Sequence, residues 1–152
     1  ILDICAGTGS LGIEALSRGA ASCCFIEQDR QVMALLEKNL ATTGLTAQGE
    51  CLVLEAVKGL TMLNKRGESF DIVFLDPPYS SNLYPLVAEA LSSTTLLMDR
   101  GLLVAECSSR QLANWRQASS STQRPIGRHH CHRTASTTTR CGHSPIDRVA
   151  RW

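Results

Sequence analysis

The chain has no apolar run near the ~18 residues that a membrane-spanning helix needs, so no such span is read. It also lacks a disulfide framework. Seven cysteines are an odd count, and Cys5, Cys23, Cys24, Cys51 and Cys107 lie in or beside apolar runs, where a free thiol behaves as a small buried hydrophobe. That usage fits a reducing compartment, and the expected location is the cytoplasm. No charged n-region leads an apolar stretch, so there is no signal peptide to read. The sequence starts without Met and opens on a strand, which implies residues upstream. No C-x-x-C pair exists; His129, His130, Cys131 and His132, with Cys141 and His143, are crowded at one end, and no metal is expected. Aromatic residues are few, but a hydrophobic content of 43% in 152 residues is that of one globular domain.

The net charge of +1 conceals a split. Residues 1–110 hold 8 Lys+Arg against 13 Asp+Glu, a balance of −5, and residues 111–152 hold 7 against 1, a balance of +6. The second segment contains ten Ser/Thr and four aliphatic residues of Leu, Ile or Val type: Leu112, Ile126, Ile146 and Val149. Too little apolar surface is available there to offset the entropy of ordering the chain. The domain is therefore expected over 1–110, with 111–152 a disordered basic tail.

Within 1–110 strands and helices alternate. Strands are read at 1–5, 22–27, 51–54, 70–75 and 101–106. Helices are read at 10–17 (with Leu11, Ala15 and Leu16 inward), from Asp29 through 43 (with Val32, Leu35, Leu36 and Leu40 inward), 56–63 and 83–97. Asp29 is an N-cap and Gly44 a C-cap. Repeated βα units give a doubly wound parallel sheet, here in order 3-2-1-4-5, with a ligand crevice at the carboxyl ends of strands 1, 2 and 4.

The run Asp3-Ile4-Cys5-Ala6-Gly7-Thr8-Gly9-Ser10-Leu11-Gly12 is a strand, a glycine turn and a helix start. Ala6, Gly7 and Gly9 let backbone approach a ligand, and the helix N-terminus offers N–H groups. The spacing fits G-x-G-x-x-G, so a nicotinamide dehydrogenase and a methyltransferase are hard to separate on this motif alone. Asp3 shifts the balance: an acid ahead of the turn can order it and reach the positive amino-acid end of S-adenosylmethionine, whereas a pyrophosphate gains nothing from it. Glu27, ending the second strand, can accept from both ribose hydroxyls. Glu55, after the third strand, faces the adenine edge or simply complements a helix dipole.

Asp76-Pro77-Pro78-Tyr79 follows the fourth strand, across the crevice from the glycine turn. A base amine is a poor nucleophile because its lone pair is delocalised into the ring. Acceptors at the Asp76 side chain and the Pro77 carbonyl favour a pyramidal nitrogen with its lone pair free to attack. The prolines fix φ and remove competing donors, and Tyr79 offers a stacking face for an extruded base.

Together, the stretch from Leu2 to Ala20, Phe25-Ile26-Glu27 and Phe70 to Tyr79 resemble the bacterial RsmD family, the 16S ribosomal RNA guanine-N2 methyltransferases. Glu14 to Ala20 is the more family-specific part. The resemblance covers about residues 1–110 and implies a Rossmann-like class I S-adenosylmethionine-dependent methyltransferase. Asp3, Gly7 and Gly9 would line the cofactor, Glu27 would hold the ribose, and Asp76, Pro77, Pro78 and Tyr79 the target guanine. The implied partner is 16S rRNA or a small-subunit assembly particle, with the protein monomeric and away from membranes. Two departures stand out: the family's N-terminal cover is missing, and the polar tail replaces its closing β-hairpin, leaving the fifth strand an open edge. A shifted reading frame explains that tail better than a new functional extension. An adenine-N6 amino methyltransferase of DNA or RNA and an inactive cofactor-binding fragment are the alternatives.

Overall fold

A computed structural model describes residues 1–77 and 82–106 and the backbone of His129–His132. Among the described residues six strands form one sheet: β1 (Leu2–Ile4), β2 (Cys23–Glu27), β3 (Gly49–Val53), β4 (Phe70–Leu75), β5 (Leu97–Glu106) and β6 (His129–His132). Their order is β3-β2-β1-β4-β5-β6 and every neighbouring pair is parallel. The helices are α1 (Ser10–Ser17), α2 (Arg30–Thr43), α3 (Ala56–Lys65) and α4 (Leu83–Ser92), with one 3₁₀ turn at Thr46–Gln48. This is the doubly wound order read from the sequence, extended by one strand.

Crossovers place helices on both faces of the sheet, so its central strands are buried on both sides. On one face Leu2, Ile4, Ile26, Val73 and Leu75 pack with Leu60 and Leu63 of α3 and Val87 and Leu91 of α4. On the other, Phe25 packs with Leu16 of α1 and Met33, Leu36 and Leu40 of α2. Phe25 is fully buried; its loss to Ala costs about 3–5 kcal/mol at such a position.

Local chemistry sets the helix ends. The Asp29 carboxylate accepts from the N–H groups of Gln31 (2.7 Å) and Val32 (3.2 Å), and Gly44 ends α2 with a φ of 73°. α4 stops at Ser92, five residues short of the predicted end, and Leu97 belongs to β5. The Ser93 and Thr94 hydroxyls donate back to the carbonyls of Glu89 (2.7 Å) and Ala90 (2.6 Å), and such side-chain bonds compete with helix continuation.

Two inward faces also differ from expectation. In α1 Gly12 and Leu16 are buried while Leu11 is exposed; in α2 Met33 replaces Leu35, which is 52% exposed. Gly12 faces the sheet because α1 lies directly on Phe25 and Cys23, where a Cβ would strike the Phe25 ring.

The expected open edge of β5 is corrected as well. Leu103 to Glu106 pair with His129 to His132. A strand with no Leu, Ile or Val has no apolar alternation to reveal it, because ladder bonds need only backbone. Residues 107–128 are long enough for the crossover that a parallel neighbour demands. His129–His132 thus forms a strand inside the segment expected to be a tail, and the remainder of 111–152 lies outside the described residues.

Candidate active site

The glycine turn between β1 and α1 is held in an unusual backbone. Cys5, Gly7 and Gly9 all have positive φ, at 61°, 56° and 83°. The Ala6 N–H donates to the Ile26 carbonyl (3.0 Å) and the Gly9 N–H to the Ala6 carbonyl (2.8 Å), so the turn is anchored on β2 and closed on itself. Gly7 faces open space, with no atom within 4 Å of where a Cβ would stand. Gly9 is constrained differently: a Cβ there would meet Leu36 at 2.8 Å. Asn39 of α2 donates to the Thr8 carbonyl at 3.0 Å and holds the outer side of the turn.

Two carboxylates tie this turn to the sheet. Asp3 is 1% exposed and accepts from the Gly12 N–H at 2.9 Å, fixing the first turn of α1. Burial pushes its pKa up to about 7, against the lowering effect of that hydrogen bond, and the charges of Asp76 and Glu27 push the same way as burial. Asp3 therefore orders the turn from a buried position, through the Gly12 N–H. Glu27 accepts the Gly7 N–H on one oxygen (3.0 Å) and the Asp29 N–H on the other (2.9 Å). Each carboxylate oxygen has a second acceptor site, which leaves capacity for a ligand hydroxyl on either.

Strand register assembles the rest. Ile4 stands opposite both Ile26 and Leu75, and Leu75 opposite Ala105. The next residues, Glu27, Cys5, Asp76 and Glu106, consequently share one level across the carboxyl ends of β2, β1, β4 and β5. Asp76 is exposed and Pro77 buried. Desolvation raises the Asp76 pKa above the ordinary carboxylate value, and the charge of Glu106 adds to the rise. Pro78 and Tyr79 lie outside the described residues. Glu55 caps the start of α3 without a capping hydrogen bond and pairs instead with Lys58 at 3.0 Å, in solvent; this is the helix-terminus reading of that acid.

Sequence reasoning passed over Cys5, Asn39 and Glu106. Cys5 is a left-handed non-glycine residue, the kind of strain that gathers at functional sites. Its signal was position, directly before the glycine turn. Burial first, then the charges of Glu27, Asp3 and Asp76, push its thiol up to about 11, so it is no thiolate nucleophile near neutrality. Cys5, Cys23, Cys24 and Cys51 are free thiols. Among the described residues no cluster of His, Cys, Asp and Glu is arranged to hold a metal ion, and no helix is long and apolar enough to cross a membrane. The His/Cys group of 129–143 lies outside the described side chains.

Comparison with known proteins agrees with this architecture. The family model described as Conserved hypothetical protein 95 matches residues 1–134. Ribosomal RNA small subunit methyltransferase D of Escherichia coli K12 is 39% identical over 105 residues, covering 69% of this chain and 51% of that protein. Its namesake from Haemophilus influenzae is 35% identical, covering 69% and 54%. The chain thus spans about half the length of these curated relatives. A conserved hypothetical protein from Streptococcus pyogenes superposes with a TM-score of 0.65 at 35% identity, over 70% of this chain and 64% of that one. SMU.776, solved in complex with SAH, shares the fold alone: TM-score 0.65 at 18% identity, over 77% of this chain and 33% of that one. The fold is that of class I methyltransferases, whose cofactor is S-adenosylmethionine, and the chain belongs to the Conserved hypothetical protein 95 family.

Proposed function

We propose that this chain forms the cofactor-binding and acceptor-binding part of a methyltransferase that modifies the exocyclic N2 amine of a guanine in 16S rRNA. The observation that carries the reading is the position of Asp76-Pro77, one strand from the glycine turn and level with Cys5 and Glu27. The names of the relatives support the rRNA substrate. The substrate is taken as 16S rRNA or an assembling small subunit, met in the cytoplasm by a monomer.

The residues fit S-adenosylmethionine. Open space at Gly7 admits the amino-acid end against loop backbone, and Glu27 keeps acceptor sites for the ribose hydroxyls. Ala6 and Gly9 shape the turn, Asp3 positions it through Gly12, and Glu55 would border the adenine by backbone alone. When bound, the cofactor supplies an electrophilic methyl group on a sulfonium. Asp76 and the Pro77 carbonyl accept the two amine hydrogens and aim the nitrogen lone pair, while Pro78 and Tyr79 complete the base pocket. The proton that the amine must give up on methylation would pass to Asp76 or to water. Positioning does most of this work.

The test is methyl transfer from labelled S-adenosylmethionine to undermethylated small-subunit particles, with the nucleoside product identified. N2-methylguanosine is expected. N6-methyladenosine would move the chain to the adenine enzymes, and cofactor binding without transfer would make it a binding fragment. Asp76→Ala should cut turnover at least tenfold while leaving cofactor affinity within about twofold, the pattern of an interaction made chiefly in the transition state. Preserved turnover would reduce the motif to a turn.

A further inference from the structure

The acceptor side of the crevice carries a carboxylate that the methyl-transfer chemistry does not use. Glu106 ends β5, half-buried, at the same level as Asp76. Its backbone is pinned: the Tyr84 hydroxyl, from the first turn of α4, donates to the Glu106 carbonyl. Across the sheet the order is Glu27, Cys5, Asp76, Glu106, so Glu106 lies beyond Asp76 on the side away from the glycine turn. Adjacent strands stand ~4.8 Å apart, a spacing that two carboxylate side chains can match to neighbouring N–H groups on a base edge. The two groups sense each other, since the charge of Glu106 helps raise the Asp76 pKa.

Resting on the guanine-N2 reading, we propose that Glu106 is the base-selecting residue of the acceptor pocket, accepting the guanine N1–H while Asp76 takes the N2 amine. Guanine presents only donors at these two neighbouring positions. Adenine presents its amine beside a bare N1 lone pair, which a second carboxylate repels. An extruded base is read through this Watson–Crick edge, so a carboxylate pair on adjacent strands favours guanine and rejects adenine. 2-Aminopurine separates the two contacts, because it keeps the 2-amine but has an unprotonated N1.

The experiment uses the whole chain saturated with S-adenosylhomocysteine and labelled oligouridylates carrying one central guanine, 2-aminopurine or adenine. Affinity is read by fluorescence anisotropy. The unsubstituted chain should bind the guanine strand about tenfold or more tighter than the 2-aminopurine strand, the scale of one good base contact. Glu106→Gln, which offers an amide N–H to a bare N1, should bring that ratio close to one by weakening guanine and strengthening 2-aminopurine. Glu106→Ala should lose the preference without the gain. An unchanged ratio in both variants, an equal loss on all three strands, or no preference in the unsubstituted chain would overturn the assignment. Incubating the same strands with labelled S-adenosylmethionine tests the underlying reading separately. Methylated adenine without methylated guanine sinks that reading, whereas methylated guanine with an unchanged ratio sinks Glu106 alone.

Discussion

Glu27 holds two parts of the crevice at once, because each of its oxygens takes one backbone N–H, from the glycine turn and from the start of α2. Glu27→Ala should therefore weaken S-adenosylmethionine binding by about 1–3 kcal/mol, through lost ribose acceptors and a loosened turn. Calorimetric titration checks this, and an unchanged dissociation constant would return Glu27 to an ordinary strand-end acid. Asp3 makes a prediction about pH. Its folded pKa, about 7, lies above the ordinary aspartate value of 3.8, so the fold is relatively favoured where Asp3 is protonated. That contribution is complete below about pH 4 and is lost as pH rises through 7. Asp3→Asn keeps an oxygen for the Gly12 N–H and removes the charge. Urea unfolding should find the variant the more stable protein at pH 8 and flatter in its pH dependence between 4 and 7; identical slopes would show that Asp3 is already well solvated or compensated. Glu27 and Asp76 were legible in the sequence because strand ends beside a glycine turn are where this topology gathers chemistry. The left-handed Cys5 and the level shared by Asp76 and Glu106 were not, since a dihedral angle and a register leave no mark on residue type.

The helices and strands of residues 1–77 were legible because caps and apolar periodicity agree there, as at Asp29 and Gly44. Legibility failed where the deciding residue has no side chain or where hydroxyls intervene. Gly12 was not counted as an inward residue, yet its missing Cβ is what lets α1 rest on Phe25; the Ser/Thr run after α4 concealed the point where helix gives way to β5. The same contact yields a prediction. A Cβ at Gly12 would stand 2.7 Å from the Cys23 sulfur, besides striking Phe25, and both neighbours are buried in the sheet. Gly12→Ala should thus lower stability by about 1–3 kcal/mol by overpacking. It should also weaken cofactor binding, because lifting α1 breaks the Gly12–Asp3 bond that sets the turn. Thermal unfolding and titration on the same sample test both effects. A stable variant with weakened binding would separate the turn from the packing, and a variant unchanged in both would show that α1 has room to shift.

For the molecule as a whole, the question is what closes the sheet beyond β5. Leu103 and Ala105 are buried, and the backbone is paired from Leu103 to Ala105 by β4 on one side and from Leu103 to Glu106 by β6 on the other. In a parallel ladder successive N–H groups point alternately to the two neighbours, so removing β6 frees every second amide of this stretch and leaves the others bonded to β4. A chain ending at Arg110 should then show faster hydrogen exchange at alternate amides between Leu103 and Glu106, while β1, β2 and β4 keep their protection. It should also self-associate more readily, because a bare strand edge flanked by apolar side chains is a template for another chain. The Asp76–Glu106 level depends on the same strand, so guanine binding should fall in the truncated chain before cofactor binding does. Hydrogen exchange by mass spectrometry, with sedimentation at two concentrations, reads these outcomes. If exchange at 103–106 and the oligomeric state are both unchanged by the truncation, His129–His132 does not close the sheet in solution and another segment must do so.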